Sequence, residues 1–186
     1  AEAAAVLTSA RFPVVVAGGG PVIAGAEAEL QMLAEALGAV VATTISGQGV
    51  ISDFHPLALG VVGSNGGVVE TREVLARADV VLFIGCRAGS VTTERWRYPA
   101  PGSAKIVHID SDPAVIGANY ATDVAVAGDA KLALAALLTA IGQLKGDRGV
   151  DARAVIADAK RRKFARFEAL ANSDEAPIRP ERLVAT

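Results

Sequence analysis

Short runs of apolar residues alternate along this chain with longer stretches in which apolar residues recur every three or four positions. The short runs predict buried strands at residues 13–17, 40–43, 80–84, 105–109 and 123–127. The longer stretches predict helices at residues 2–10, 26–37, 67–78, 129–144 and 151–171. This alternation predicts an α/β fold: a doubly wound, mostly parallel sheet of about six strands with helices on both faces.

Capping and turn residues support this Rossmann-like pattern. The run Gly18 to Pro21 predicts a break after the first strand, and Gly38 predicts a left-handed cap that ends a helix. Asp112 followed by proline predicts the start of a short helix. Asp129 predicts an N-cap. Residues 92–102 carry no periodic pattern and predict an irregular segment.

The last quarter of the chain has a different pattern. Residues 145–149 predict a linker, 151–171 a charged helix and 173–180 a polar connector. We interpret the Lys-Arg-Arg-Lys run at 160–163 as a solvated helix face rather than a phosphate-binding patch. The chain opens inside a helical stretch, without an initiator Met or a signal-peptide pattern, so we expect it to be a piece of a longer polypeptide.

Composition narrows the classes of function. Hydrophobic residues make up 52% and aromatic residues 4%, which predicts an aliphatic core suited to buried parallel strands. A net charge of −2 with no basic block before the tail argues against nucleic acid as a partner. No apolar run reaches the ~18 residues of a membrane span. A single cysteine excludes an internal disulfide framework and suits a reducing cytoplasm.

Glycine and small polar residues collect where the predicted strands end. These segments read AGGGPVIAG, TTISGQG, LGVVGSNGG, FIGCRAG, VHIDSDP, YATDVAV and VAGDA. Open α/β sheets bind ligands beyond the carboxyl ends of their strands, so we expect a nucleotide-sized crevice there. The first cluster is not a standard dinucleotide fingerprint, because Ile23 stands where the third glycine belongs and Thr43-Thr44 where an acidic residue belongs.

Several strand ends carry groups suited to a ligand. Thr43 and Thr44 offer hydroxyls, and residues 63–67 offer bare amides before a helix. Arg87 offers a guanidinium that can pair with phosphate or stack on a flat ring. Asp110 can accept hydrogen bonds from a ribose.

Each of these groups also has a structural alternative. Asp112 and Asp129 can serve as helix caps, Arg87 can neutralise a neighbouring carboxylate, and the glycines can serve tight packing alone. The convergence of several such groups on one rim favours a ligand site over these alternatives taken singly.

No residue pair is suited to bond-breaking. His108 alternates with apolar neighbours in a strand, which predicts a hydrogen-bonded core histidine, and His55 has no evident partner. Cys86 follows a strand and is interpreted as a small buried residue, with a thiol activated by Arg87 as the alternative. Trp96 is expected to close a lid or contact another domain. No spacing of cysteine and histidine resembles a zinc site.

The order of these motifs resembles one enzyme family. The stretches RFPVVVAGGGPVIAGA, LAEALGAVVATTISGQGVISDFHPLALGVVG, ADVVLFIGCRAG, KIVHIDSDPAVIGANYATDVAVAGDAKLALAALL and IRPERLVAT are similar to the central domain of thiamine-diphosphate-dependent enzymes of the acetolactate synthase type. That group also includes pyruvate oxidase and oxalyl-CoA decarboxylase. The matches follow one collinear order over most of residues 1–140.

The resemblance implies a subunit of three α/β domains, of which this chain is the middle one. In the family the first domain supplies a glutamate that activates the thiazolium, and the third binds the diphosphate and magnesium through a GDG motif; this chain carries neither. Residues 1–144 would then be the central nucleotide-binding-like domain, and 145–186 a linker helix and connector to a C-terminal cofactor domain. Thiamine diphosphate and Mg²⁺ would belong to the full-length parent only, a cytoplasmic decarboxylase or carboligase that is a homodimer or homotetramer. Its N- and C-terminal domains would be the partners of this chain, which is expected to have no thiamine chemistry alone.

The resemblance also implies contacts for a ligand. Acetolactate synthase and pyruvate oxidase hold FAD in the middle domain, oxalyl-CoA decarboxylase holds ADP, and other members hold nothing. The positions carried over are Gly19, Gly20, Thr43, Thr44, Gly63, Ser64, Gly85, Arg87, Asp110, Ser111, Asp129 and Ala130.

Departures from the family pattern leave the identity of the ligand undecided. Acetolactate synthases have Gly-Met-His-Gly near residues 63–66 and Arg-Phe-Asp-Asp-Arg at 87–91, where this chain has Gly-Ser-Asn-Gly and Arg-Ala-Gly-Ser-Val. FAD, an adenine nucleotide and no ligand stay equal alternatives. An FAD domain like that of electron-transfer flavoproteins, and a scaffold that binds nothing, are the competing functions.

Overall fold

The computed structural model describes residues 1–142 and 151–185. Within them one parallel sheet is formed by β1 (Pro13–Ala17), β2 (Val40–Thr43), β3 (Ala58–Val61), β4 (Val80–Ile84), β5 (Lys105–Asp110) and β6 (Val124–Ala127). The strand order is β3-β2-β1-β4-β5-β6, and every pair in the register is parallel. The predicted six-stranded parallel sheet is therefore confirmed.

Helices cover both faces of this sheet, as predicted. They are α1 (Glu2–Thr8), α2 (Gly19–Ile23), α3 (Glu27–Leu37), α4 (Val69–Leu75), α5 (Ala130–Ile141), α6 (Ala152–Ala171) and α7 (Pro180–Val184). Helices α1 and α3 pack against α5, whereas α4 packs against α6. The connections β1→β2 and β3→β4 run in opposite directions across the sheet. Right-handed crossovers therefore place α3 and α4 on opposite faces.

The core is aliphatic, as the composition predicts. All five residues of β1 and of β4 are buried, because helices cover both sides of these central strands. Leu30 and Leu33 of α3 and Leu134 of α5 are completely buried against the sheet. Gly38 ends α3 with φ of 63°, which confirms the predicted left-handed cap.

One local prediction is incomplete and one is wrong. The glycine cluster does end β1 at Ala17, as predicted, but Gly19–Ile23 also form the short helix α2, which was not predicted. Pro21 lies in its first turn, where a proline is tolerated. The Asp112-Pro113 pair begins a turn and not a helix: the Asp112 carboxylate accepts a hydrogen bond from the Ala114 amide at 2.9 Å and closes the turn locally.

Helix α6 folds back onto the sheet. Its residues Ile156 and Ala159 are buried, and it packs on α4, β2 and β3. Arg166 pairs with Glu70 of α4 at 3.1 Å, which fixes the helix at a second place. The predicted linker 145–149 and the predicted boundary at 144 lie outside the described residues. In the part of the chain described, no helix is both long enough and apolar enough to cross a membrane.

Candidate functional site

The carboxyl edge of the sheet has its topological switch point between β1 and β4, the usual ligand position in such folds. Here glycine backbones pack directly against each other. The Gly20 amide donates to the Gly85 carbonyl oxygen at 3.2 Å. A Cβ at Gly18 would lie 2.0 Å from that same oxygen, and a Cβ at Gly85 would lie 2.4 Å from the Gly20 Cα. These glycines are required for packing, and the Gly20 amide is not free for a phosphate.

A cleft of about 230 Å³ opens beside this contact, between α2, the ends of β4, β5 and β6, and the start of α5. It is lined by Gly20, Ile23, Ala24, Gly85, Ile109, Asp110, Ser111, Gly128, Asp129 and Ala130. Six of these were predicted to bind a ligand: Gly20, Gly85, Asp110, Ser111, Asp129 and Ala130. The cleft forms because β5 and β6 are neighbours whose carboxyl ends face α2.

The polar groups of the cleft are held by local hydrogen bonds. One carboxylate oxygen of Asp110 accepts from the Asp112 amide at 3.0 Å, and the Asp110 carbonyl accepts from the Gly128 amide at 2.9 Å. The other carboxylate oxygen of Asp110 makes no hydrogen bond with the described residues. The Asp129 carboxylate accepts from the Leu132 amide at 3.0 Å, which confirms its predicted capping role. Asp110 therefore keeps a free acceptor at the cleft.

Other predicted residues do not line this cleft. Thr43 is buried in β2, and the Thr44 amide donates to the Ala17 carbonyl at 2.9 Å. The Ser64 amide donates to the Val91 carbonyl at 2.8 Å, and a Cβ at Gly63 would lie 2.5 Å from that oxygen. The amides of Thr44 and Ser64 are therefore used by the fold. Gly19 is the first residue of α2 and also lies outside the cleft lining.

Arg87 lies two residues beyond Gly85 and is exposed. The Arg87 side chain makes no ion pair with any residue that the structure describes. The alternative role, in which Arg87 neutralises a neighbouring carboxylate, is therefore not observed among these residues. Its carbonyl accepts a hydrogen bond from the Asn119 side chain at 2.8 Å, which fixes the main chain of the loop. The guanidinium is available to an anionic group at this edge.

The nucleophilic and basic residues of the core have structural roles. His108 is 2% exposed and its Nε2 lies 2.9 Å from the Cys86 carbonyl oxygen. Burial lowers the pKa of the His108 imidazole and raises the pKa of the Cys86 thiol. The predicted core histidine and buried cysteine are confirmed, and an activated thiol is not supported.

His55 has a partner that the sequence did not reveal. Its Nε2 lies 3.1 Å from a Glu35 carboxylate oxygen, and its Nδ1 accepts from the Leu57 amide at 3.1 Å. Glu35 lies on α3, far away in sequence, so only the fold brings the two together. Across the described residues, no group of three or more histidine, cysteine or acidic side chains could hold a metal ion.

A larger pocket, which sequence reasoning missed, lies at the edge strand β3. Its volume is about 750 Å³, and it is lined by Ile45, Gln48, Asp53, Phe54, Leu59, Gly60, Val61, Asn65, Gly66, Lys160, Lys163 and Phe164. It exists only because α6 folds back on β3. The apolar residues Ala152, Ile156 and Ala159 recur every three or four positions in α6 and are buried, and this spacing is the signal that the helix packs on the sheet.

Comparison with known proteins gives one consistent result. A family model described as the central domain of thiamine pyrophosphate enzymes matches residues 1–137. A probable acetolactate synthase large subunit of Methanocaldococcus jannaschii is 44% identical over 140 residues, which are 75% of this chain and 23% of the relative. The acetolactate synthase of Arthrospira platensis is 35% identical over 144 residues, 74% of this chain and 24% of the relative.

A third relative, the acetolactate synthase isozyme 3 large subunit of Escherichia coli, is 32% identical over 145 residues, 78% of this chain and 25% of the relative. The chain thus spans about a quarter of the length of these three relatives.

Proposed function

The chain belongs to the thiamine pyrophosphate enzyme central-domain family, and from that premise we propose that it is the middle domain of a thiamine-diphosphate-dependent decarboxylase or carboligase similar to acetolactate synthase. In this proposal N- and C-terminal domains of the same polypeptide bind thiamine diphosphate and Mg²⁺ and carry out the chemistry. Residues 1–144 form the central domain and 145–186 the connector. The whole enzyme is a cytoplasmic homodimer or homotetramer. The family match, together with the much greater length of the relatives, supports this assignment.

We further propose that the cleft at the carboxyl edge binds the adenosine diphosphate moiety that ADP and FAD share. The observation that carries this proposal is that one cleft gathers six of the predicted contact residues. Asp110 offers a free carboxylate oxygen to ribose hydroxyls, and the exposed Ile23 side chain offers an apolar surface to a base.

The volume of the cleft limits what it can hold. About 230 Å³ lies below the ~300–1,000 Å³ typical of small-molecule pockets, so it takes a nucleoside and not a whole dinucleotide. The diphosphate then extends over the neighbouring surface, where the exposed Arg87 guanidinium can form charge-assisted hydrogen bonds with it. The residues that line the cleft offer no surface suited to a flavin ring, so the flavin half of FAD should add little to binding.

Calorimetric titration with ADP, FAD and NAD at matched salt tests this site. ADP and FAD should bind with similar affinity, because the cleft contacts only their shared part. Arg87→Ala and Asp110→Asn should each weaken ADP binding by roughly 1–3 kcal/mol through the loss of a charge-assisted hydrogen bond. Arg11→Ala is the matched control: Arg11 is 88% exposed and lies before β1, at the opposite edge of the sheet.

Three results would count against the nucleotide site. No binding of any nucleotide would favour a scaffold whose glycines serve packing alone. Much tighter binding of FAD than of ADP would assign a flavin site. If Arg11→Ala weakened ADP binding as much as Arg87→Ala, the arginine effect would reflect the overall charge of the protein and not a specific contact.

The assignment as a middle domain has its own test. The purified chain mixed with thiamine diphosphate, Mg²⁺ and pyruvate should release no carbon dioxide, because the groups that activate the thiazolium would lie on the other domains. Sustained release by the pure chain would contradict the middle-domain assignment and leave the nucleotide site untouched.

A further inference from the structure

The pocket between β3 and α6 has the size of a small-molecule site. Its volume of about 750 Å³ falls within the ~300–1,000 Å³ usual for such sites. It shares no lining residue with the cleft beside α2. It is therefore a separate place in the fold, and its occupancy does not depend on the proposed nucleotide site.

Five cations between residues 160 and 166 of α6 divide into two groups. Arg161, Arg162 and Arg166 are exposed and paired: the first two pair with Asp158 on the same helix, and Arg166 pairs with Glu70. The lysines are half-buried, line the pocket and make no ion pair with the described residues. These three arginines thus form ion pairs with carboxylates of the protein, whereas Lys160 and Lys163 form none within the part of the chain described.

The contacts of the two lysines leave both ammonium charges at the pocket. Lys160 donates its Nζ to the Asp53 carbonyl oxygen at 2.7 Å, and the Lys163 Nζ lies 5.6 Å from the Phe164 ring centroid. Asp53 is the acidic residue of the pocket lining, so the charged side chains of the lining (Lys160, Lys163 and Asp53) sum to a net charge of +1. Burial lowers the pKa of Lys160, Asp53 opposes that shift, and the neighbouring Lys163 adds to it. A bound anion would relieve the repulsion between the two ammonium groups.

Exposed apolar side chains surround these cations. Phe54 is 97% exposed, Phe164 54% and Ile45 51%. Covering such large apolar surfaces with a ligand is favourable, because it removes them from water. Aromatic rings next to unpaired ammonium groups suit a ligand that has a flat apolar body and a negative charge.

We propose that this pocket binds an aromatic organic anion, whose carboxylate or phosphate pairs with Lys160 and Lys163 and whose ring packs on Phe54 and Phe164. A concave pocket of this volume fits a small molecule better than a macromolecular surface. The two lysines supply recognition of the charge, and the two phenylalanines supply most of the contact area.

The probe is 1-naphthyl phosphate, titrated into the purified chain by calorimetry. Naphthalenemethanol, which has the ring without the charge, and inorganic phosphate, which has the charge without the ring, are the ligand controls. We expect naphthyl phosphate to bind at least about tenfold more tightly than either, since both parts contribute. Asp110→Asn, which should weaken nucleotide binding in the proposed cleft, should leave naphthyl phosphate binding unchanged, because the pocket and the cleft share no lining residue.

Three single variants sharpen the test. Lys163→Gln should weaken naphthyl phosphate binding about tenfold, and Phe54→Ala should weaken it about fivefold without disturbing the fold, because Phe54 is almost fully exposed. Arg161→Gln removes the same charge from a paired arginine nearby and should change the affinity less than about twofold.

Failure would be equally clear. Absence of binding, equal affinity for the neutral and the charged naphthalene, or an Arg161→Gln effect equal to that of Lys163→Gln would overturn the proposal. Unfolding midpoints of all variants, measured alongside, identify any variant whose fold has changed.

Discussion

Replacing Gly18 by alanine should destabilise the domain far more than replacing Gly38. Gly18 has φ of −90°, which any residue can adopt, but an added Cβ would lie 2.0 Å from the Gly85 carbonyl oxygen and 2.8 Å from the Cys86 Cβ. Gly38 is the opposite case, since its φ is +63° and an added Cβ would meet nothing within 4 Å. The first substitution is purely steric and the second purely conformational.

The magnitudes follow from these two causes. Overpacking a well-packed interior costs typically ~1–3 kcal/mol and sometimes more, and the groups in the way at Gly18 are backbone and a short side chain that cannot swing aside. We therefore expect a loss of at least about 3 kcal/mol for Gly18→Ala. The left-handed conformation costs roughly 1–2 kcal/mol for a non-glycine residue, partly offset by the stiffer unfolded chain, so Gly38→Ala should lose about 1 kcal/mol.

Gly85→Ala combines both penalties. Its φ is +53° and its Cβ would lie 2.4 Å from the Gly20 Cα, so it should be the most harmful of the three. Urea unfolding followed by far-UV circular dichroism gives the three free energies of unfolding. A loss below 1 kcal/mol for Gly18→Ala, or a larger loss for Gly38→Ala than for Gly18→Ala, would refute the close backbone packing between β1 and β4.

Three further changes test other parts of the structure. Burial holds the pKa of His108 below its ordinary value of 6.5, so the unfolded chain takes up a proton first as the pH falls. The free energy of unfolding should therefore decrease below about pH 6.5, by at most ~1.4 kcal/mol per pH unit, and urea titrations at several pH values should show a flatter profile for His108→Gln. Asp129→Ala removes the N-cap hydrogen bond to Leu132 and should lower the free energy of unfolding by about 1 kcal/mol; a change below 0.3 kcal/mol, roughly, would contradict that role. Glu70→Gln weakens the pair with Arg166, so amide exchange in α6 should accelerate while exchange in β1 stays unchanged; equal acceleration in both would argue against local anchoring.

The central strands were predictable because the sheet is covered on both faces. The ranges of β1, β2 and β4 agree with the sequence prediction, since strands buried on both sides appear as uninterrupted apolar runs. The edge strand β3 is less distinct in the sequence, because Gly60 interrupts it and half of its residues are only partly buried. Helix α2 was missed because its glycines favour turns locally, while the packing of Gly20 on Gly85 stabilises the helical turn.

The ligand-binding edge was predictable only in part. The carboxyl ends of parallel strands must share one edge, so the convergence of Asp110, Asp129 and Gly85 follows from the strand pattern alone. Which half of the edge opens into a cleft depends on main-chain hydrogen bonds, such as the one from Ser64 to Val91, that no local pattern reveals.

The pocket beside α6 depends on contacts between distant parts of the chain. Arg166 and Glu70, which anchor the helix, are 96 residues apart in sequence. Arg161 and Arg162 pair with Asp158 within α6, but the partial burial of Lys160 and Lys163 beside the sheet appears only once the helix is docked. From the sequence alone, the Lys-Arg-Arg-Lys run is simply a charged helix face.

Nuclear magnetic resonance is the direct test of the adenosine diphosphate site. Titration of the ¹⁵N-labelled chain with ADP should shift amide signals clustered at Gly20, Gly85, Asp110, Ser111, Asp129 and Ala130. No shifts at millimolar ADP, or shifts confined to the pocket between β3 and α6, would contradict a nucleotide site at the carboxyl edge.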